Sequence, residues 1–384
     1  MKIINLSSIA NPISISVQNP SRSDYDRFIG LEHYDSGEPV ITRFQGTELL
    51  TTSAKAFKAN DILIARRNVY LKRAGIVFFD GITSGDSIIL RLKEDTQKTI
   101  GYSREDLIRY IPFMLNSEHF WIYANKHADG MNSKRISKDT LLEYEFELPS
   151  IDEMRDISDK LWAAYRLKEA YKKLLVTTDE MVKSQFIEMY YNTHNKQTLE
   201  SVCPIMNKGI TPKYVESSSV LVINQACIHW DGQRLGNIKY HNEEIPVRKR
   251  ILESGDVLLN ATGNGTLGRC CVFICPSDNN TYINDGHVIA LSTDRAVILP
   301  EVLNTYLSLN DTQAEIYRQY VTGSTNQVDI VFSDIKKMKV PVPSMDEQIL
   351  FVEVLKQADK SKSVIQKALV YLNDIQSDEL GKIA

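Results

Sequence analysis

Hydrophobic positions along the chain follow two patterns, and each pattern occurs twice. Short apolar runs bounded by turn residues predict strands at residues 61–65, 75–79 and 87–92, and again at 257–260, 271–275 and 288–291. Helical spacing follows each set, over 104–128 with Pro112 as the expected break, and over 299–320. A longer pattern comes next. Ile157, Leu161, Ala164, Lys168, Tyr171, Leu175, Thr178 and Val182 step by four and three, and Phe351, Val354, Ala358, Ser361, Ile365, Ala368, Leu372 and Ile375 do the same. Both read as the seam of a coiled coil. Each opens on a capping box, Ser150 with Glu153 and Ser344 with Glu347. A helix over 151–190 would run ~60 Å at 1.5 Å per residue.

The two halves are copies. Leu148-Pro149-Ser150-Ile151-Asp152-Glu153 returns as Val342-Pro343-Ser344-Met345-Asp346-Glu347, an offset of 194. Asp61-Ile62-Leu63 returns as Asp256-Val257-Leu258, Val77-Phe78 as Val272-Phe273, and Lys173-Leu174-Leu175-Val176 as Lys367-Ala368-Leu369-Val370. Matches in the same order at nearly one offset indicate a duplicated domain, since solenoid units run about 20–50 residues. The predicted fold is α+β. Two similar mixed α/β domains, 1–148 and 193–342, alternate with two long helices, 149–192 and 343–384. The helices are expected to pair antiparallel as a coiled-coil spacer, because the domain between them returns the chain, giving an internal pseudo-two-fold repeat.

Composition narrows the function. Lys and Arg total 45 against 49 Asp and Glu, a formal charge of -4, which argues against coating of nucleic acid by bulk charge and leaves room for local basic surfaces. No run of about 18 apolar residues predicts a membrane span, and the early polar residues give no secretory signal, so a cytoplasmic location is expected. The five cysteines all fall in the second half, an odd set read as buried and reduced. Cys271 and Cys275 have no partner pair at metal-ligand spacing, so no metal site is expected.

Candidate chemistry sits in loops. Gly263-Asn264-Gly265-Thr266-Leu267-Gly268 matches the dinucleotide-binding pattern, but a strand-like run follows where that motif needs a helix N-terminus. It reads better as a strand-turn-strand tip. This tip offers Asn264, Thr266 and Arg269, and its counterpart in the first half offers Arg66, Arg67, Tyr70, Lys72 and Arg73. Two further polar turns stand at matched places, with Lys134 and Arg135 in one and Thr325, Asn326 and Gln327 in the other. Such side chains suit phosphates and base edges, although the same composition also serves a plain solvated turn. No catalytic constellation is visible: neither Asn-Pro-Pro-Tyr, nor a phosphate-binding P-loop, nor His-Glu-x-x-His occurs.

The arrangement resembles the specificity subunit of type I restriction-modification systems. The likeness is carried by the two Pro-Ser-x-Asp-Glu helix openings, by Ser254-Gly255-Asp256-Val257-Leu258-Leu259 with 263–269, by Val222-Ile223-Asn224-Gln225 with Trp230-Asp231-Gly232, and by 61–67 with Phe79-Asp80-Gly81. It implies two target recognition domains, each reading one half of a split double-stranded DNA sequence, with the helices setting the interval. It also implies a non-catalytic chain without its own cofactor, docked to two methyltransferase subunits that use S-adenosylmethionine, and joined by a restriction and translocation subunit. One departure is Met154 after Glu153, where the family often has Gln, as at Gln348. A coiled-coil protein-interaction scaffold with no DNA role is the competing class.

Overall fold

The computed structural model describes residues 2–131, 133–191, 193–324 and 327–383. Two compact units divide the chain: Met1–Lys172 with Gln366–Ala384, and Lys173–Ile365. The fold is mixed α and β.

In the first unit, a four-stranded antiparallel sheet has the spatial order Ala10–Ile13, Ser87–Leu92, Ile62–Ala65, Ala74–Ile76. Its central strand is apolar throughout because both faces are covered. Ile62 and Ile64 pack with Leu107, Tyr110, Phe113 and Trp121 from the helices Arg104–Met114 and Glu118–Lys126. Leu63 and Ala65, pointing the other way by strand alternation, meet Ile29, Tyr34 and Phe57. A second sheet orders Ile15–Val17, Ala54–Phe57, Gly81–Thr83 and Phe28–Ile29, the last pair parallel. Lys2–Asn5 pairs with Glu145–Leu148 just before the first long helix.

The second unit repeats this plan. Its antiparallel sheet orders Ile205–Lys208, Val288–Ser292, Val257–Asn260 and Cys270–Val272. Val257 and Leu259 face the helix side, while Leu258 joins Phe273 and Tyr282 on the other. The companion sheet again contains one parallel pair, Val220–Ile223 with Thr281–Asn284. Lys196–Thr198 pairs with Lys339–Pro341 ahead of the second long helix.

Four local expectations are corrected. The strand expected at 75–79 is Ala74–Ile76, and that at 271–275 is Cys270–Val272. Both shorten because the next residue sits opposite two residues, a bulge that ends the regular ladder. Val77 accepts from Asn60 N–H and donates to the Asp61 carbonyl, and Phe273 accepts from Gly255 N–H and donates to the Asp256 carbonyl, Asn60 and Gly255 having positive φ. The helix expected over 104–128 breaks at Ser117, whose hydroxyl caps Phe120 N–H, while Pro112 lies inside the first segment. The helix over 299–320 splits at Leu309, which is extended, with φ -67° and ψ 142°.

The long helices are Ile151–Phe186 and Met345–Leu380, 36 residues each, or about 54 Å. Both capping boxes form, with Ser150 and Ser344 donating N–H and hydroxyl to Glu153 and Glu347 and receiving a backbone N–H in return. The first helix continues through a π-helical turn, Ile187–Tyr191.

The two helices run antiparallel within each unit. In the first, Lys160 approaches Glu379 at 3.9 Å and Lys168 bonds Gln376 at 2.7 Å. In the second, Asp179 pairs with Lys362 at 3.0 Å, and Phe186 and Tyr190 pack on the ring of Phe351. Of the seam positions, Ile157, Leu161, Ala164, Val182, Phe351, Ala358, Ile365 and Leu372 are buried. Tyr171, Leu175, Val354 and Ile375 are half-buried, and Ser361 is exposed.

Candidate nucleic-acid interface

In the first unit the chain leaves the strand Ile62–Ala65, turns through 66–73 and returns along Ala74–Ile76. The turn is tight: Ala65 N–H meets the Arg73 carbonyl at 3.0 Å, and Asn68 and Lys72 take left-handed φ values of 56° and 49°. Its flank is joined to a distant segment. Ile136 N–H bonds the Arg66 carbonyl at 3.0 Å, Asn68 N–H bonds the Lys134 carbonyl at 2.7 Å, and Arg67 and Arg135 form an antiparallel bridge. The two basic stretches therefore lie on one surface.

Their charges gather around one carboxylate. Arg67 and Arg135 stand 3.8 and 3.7 Å from Asp86, each guanidinium remaining about half exposed. Lys55 joins them, its ammonium held by the carbonyls of Gly85 and Ser87 at 3.1 and 3.0 Å. Burial holds the Lys55 pKa below its ordinary value, the nearby Arg66 charge lowers it further, and Asp86 only partly offsets both. Arg67, Arg135 and Lys55 thus gather around Asp86, with Arg66 close enough to Lys55 to act on its charge. That surplus attracts an anion.

The other first-tip residues divide. Tyr70, Lys72 and Lys134 are exposed beside the cluster. Arg73 turns inward and donates to the carbonyls of Leu31 and Arg67, both at 3.0 Å, so it braces the turn rather than presenting its charge.

The second unit builds the same joint with different chemistry. Ile330 N–H bonds the Ala261 carbonyl at 2.8 Å, and Thr262 bridges Asp329. The glycine pattern is explained by backbone geometry, because Gly263 and Gly268 have φ values of +100° and +84° and a Cβ on either would strike Thr266 or Gln313. The segment that follows is the strand Cys270–Val272, so the pyrophosphate-binding helix terminus is missing at this turn. Thr266 bonds Gln225 and the Thr262 carbonyl at 3.0 Å each, and Arg269 bonds the Gly265 carbonyl at 2.8 Å. Asn264 is exposed at the tip. Lys208 is neutralised by Asp329 at 2.8 Å, and Thr262 meets His287 at 2.9 Å. This surface is polar and close to neutral. Thr325 and Asn326 lie outside the described residues, and Gln327 is described only in its backbone.

Sequence reasoning missed Lys55, Asp86, Lys208 and His287. They reach the joints from strands or turns remote in the chain, and no local pattern singles them out.

Among the described residues, no group of His, Cys, Asp and Glu could hold a metal ion. Cys203, Cys227, Cys270 and Cys271 are buried. Burial pushes the Cys203 and Cys271 thiols up to about 12 and raises Cys270 and Cys227 as well. No described helix is long and apolar enough to cross a membrane.

No protein-family model and no curated relative matches the sequence. Solved structures do. A chain from a structure of type I R-M system assembly and conformational transition superposes with a TM-score of 0.58 at 16% identity, covering 99% of this chain and 96% of that one. The S subunit of the type I restriction-modification system from M. genitalium gives a TM-score of 0.53 at 13% identity, covering 99% and 94%. The duplicated sheets, the matched joints and the paired long helices thus form the fold of a type I restriction-modification S subunit.

Proposed function

We propose that this chain is the DNA-binding specificity subunit of a type I restriction-modification complex. Each recognition domain, 1–148 and 193–342, reads one half of a bipartite double-stranded target, and the paired helices fix the interval between halves. The observation that carries this reading is the duplicated joint, at which one backbone frame presents a cationic loop in the first unit and a polar, nearly neutral one in the second. A shared frame with unlike tips is what two unlike half-sites require, because loops on a rigid scaffold carry variable recognition.

Phosphate contact falls to Arg66, Arg67, Lys134 and Arg135, and base reading to the exposed tips around Tyr70 and Asn264. The proposed partners are two methyltransferase subunits docked on the helices and a restriction and translocation subunit, in a cytoplasmic complex. Adenine methylation, with S-adenosylmethionine, is assigned to the methyltransferase, whose pocket takes the flipped base. This chain contributes position, not chemistry.

The test is co-expression with a cognate methyltransferase subunit and genome-wide mapping of methylated adenines. One bipartite motif with unlike halves and a fixed gap is expected. Binding of DNA by the assembled complex should weaken steeply with salt, as counterion release demands. A salt-insensitive association with protein alone would favour an interaction scaffold instead.

A further inference from the structure

We propose that Lys168 locks the axial register of the two long helices, and so sets the interval they measure. This rests on the reading of the helices as a spacer, although the lock can be tested without it.

The seam in the first unit is apolar at Ile157, Leu161 and Ala164, and the next heptad step is a lysine only 7% exposed. Its ammonium donates to Gln376 Oε1 at 2.7 Å, and Gln376 is itself 6% exposed. Glu38, from the strand-rich part of the same unit, stands 3.8 Å from Lys168 and 3.3 Å from Lys172. A buried cation with these partners stabilises less than a leucine would, and polar groups of this kind in coiled coils characteristically specify register.

The alternatives available to the pair show why. A slide of seven residues is the one that keeps each seam facing the other, since it turns the helix by only about 20°. In one direction that slide replaces Gln376 with Leu369, and in the other it brings position 383, beyond the helix end at Leu380, opposite Lys168. The ammonium would then lose its hydrogen-bond acceptor and keep only the Glu38 carboxylate, 3.8 Å away, which is penalised in a buried site. Slides of three or four residues rotate Leu372 and Ile375 out of the seam by about 40–60°. Only the observed register satisfies both the apolar seam and Lys168.

The repeat supplies a contrast. Lys362, 194 positions later, pairs in its own unit with Asp179 and Asp359 at 3.0 and 2.9 Å. Position 182, which corresponds to Gln376, is Val. Lys362 therefore takes carboxylates at the margin of the seam, whereas Lys168 is held inside it.

The test uses the full chain carrying spin labels at exposed Ala163 and Asp378, with Cys275, the one described cysteine that is not buried, changed to Ser. The parent should give one narrow label-to-label distance. Q376L alone should lower the melting temperature sharply, and K168L/Q376L should restore or raise it while adding a second distance population displaced axially by ~10 Å, seven residues of rise. An unchanged melting temperature in Q376L, or one unaltered narrow distance in the double variant, would overturn the lock. A second distance accompanied by an unaltered single gap in the methylated motif would uphold the lock and overturn the spacer reading.

Discussion

Arg67 and Arg135 form an antiparallel bridge in the first unit, and Thr262 and Asp329 form the same bridge in the second, at offsets of 195 and 194. The backbone bonds beside them repeat as well, Ile136 to Arg66 and Ile330 to Ala261. Duplication has preserved the contact and replaced the side chains that make it. The first bridge unites like charges, which is unfavourable unless an anion is shared between them. Asp86 supplies only part of that compensation.

The double variant R67A/R135A should therefore fold normally and bind DNA more weakly across all sequences. Removal of two phosphate contacts is expected to reduce the slope of log affinity against log salt by about two. Fluorescence anisotropy of the assembled complex over a salt series measures both quantities. An unchanged slope would move the phosphate contacts elsewhere.

Asp61 is almost wholly buried and takes two bonds from Arg91, both at 2.7 Å, together with the Lys58 N–H at 2.8 Å. In the copy, Asp256 accepts from Arg250, Ser292 and the Glu253 N–H. Each aspartate ties the start of a central strand to its preceding turn. Loss of one member of a buried pair costs about 3–5 kcal/mol because the other charge is left uncompensated. R91A should lie near the lower figure, since Arg91 retains 28% exposure. Chemical denaturation provides the value.

Much of this architecture is legible in the sequence because its determinants are local or periodic. The heptad steps, the capping boxes and the apolar strands each depend on residues a few positions apart, and the offset near 194 exposes the duplication directly. The limits of the shorter elements are less legible. The first helix runs past Pro112 to Met114, and the break is marked instead by Ser117, whose hydroxyl caps the start of the next helix. The site was half legible. Its loops carry recognisable charges, but Lys55 and Asp86 come from separate strands and turns, and the inward turn of Arg73 depends on a carbonyl 42 residues away.

Acid should weaken the first unit through Asp106. Arg155, at the start of the long helix, makes two hydrogen bonds to its carboxylate and is the chief reason that its pKa lies below the ordinary value; burial opposes, and Ser103 assists. A depressed native pKa stabilises the fold fully above the unfolded carboxylate value, and the contribution disappears as pH falls through the native one. The stability difference between the parent and R155A should be constant near pH 7 and shrink below about pH 4. Denaturation midpoints at pH 7 and pH 3 check the sign, and a gap that widens in acid would contradict it.

Met154 and Gln348 occupy matched positions in the two long helices, and both are fully buried. Gln348 donates to the carbonyls of Val297 and Pro343 and accepts from Leu299 N–H, thereby capping the helix Pro300–Ser308. Met154 fills the equivalent place with apolar contacts, and the corresponding helix is capped by Ser103 instead. Exchange should therefore be costly in both directions, for different reasons. Q348M fits by volume but leaves Leu299 N–H and two carbonyls without their partner, at about 1–3 kcal/mol for an unmet buried group. M154Q buries an amide where the neighbouring helix already has its cap, with a penalty of the same order. If either exchange proved neutral in urea denaturation, the two helix starts would be interchangeable, and the division between a polar and an apolar anchor would have no energetic basis.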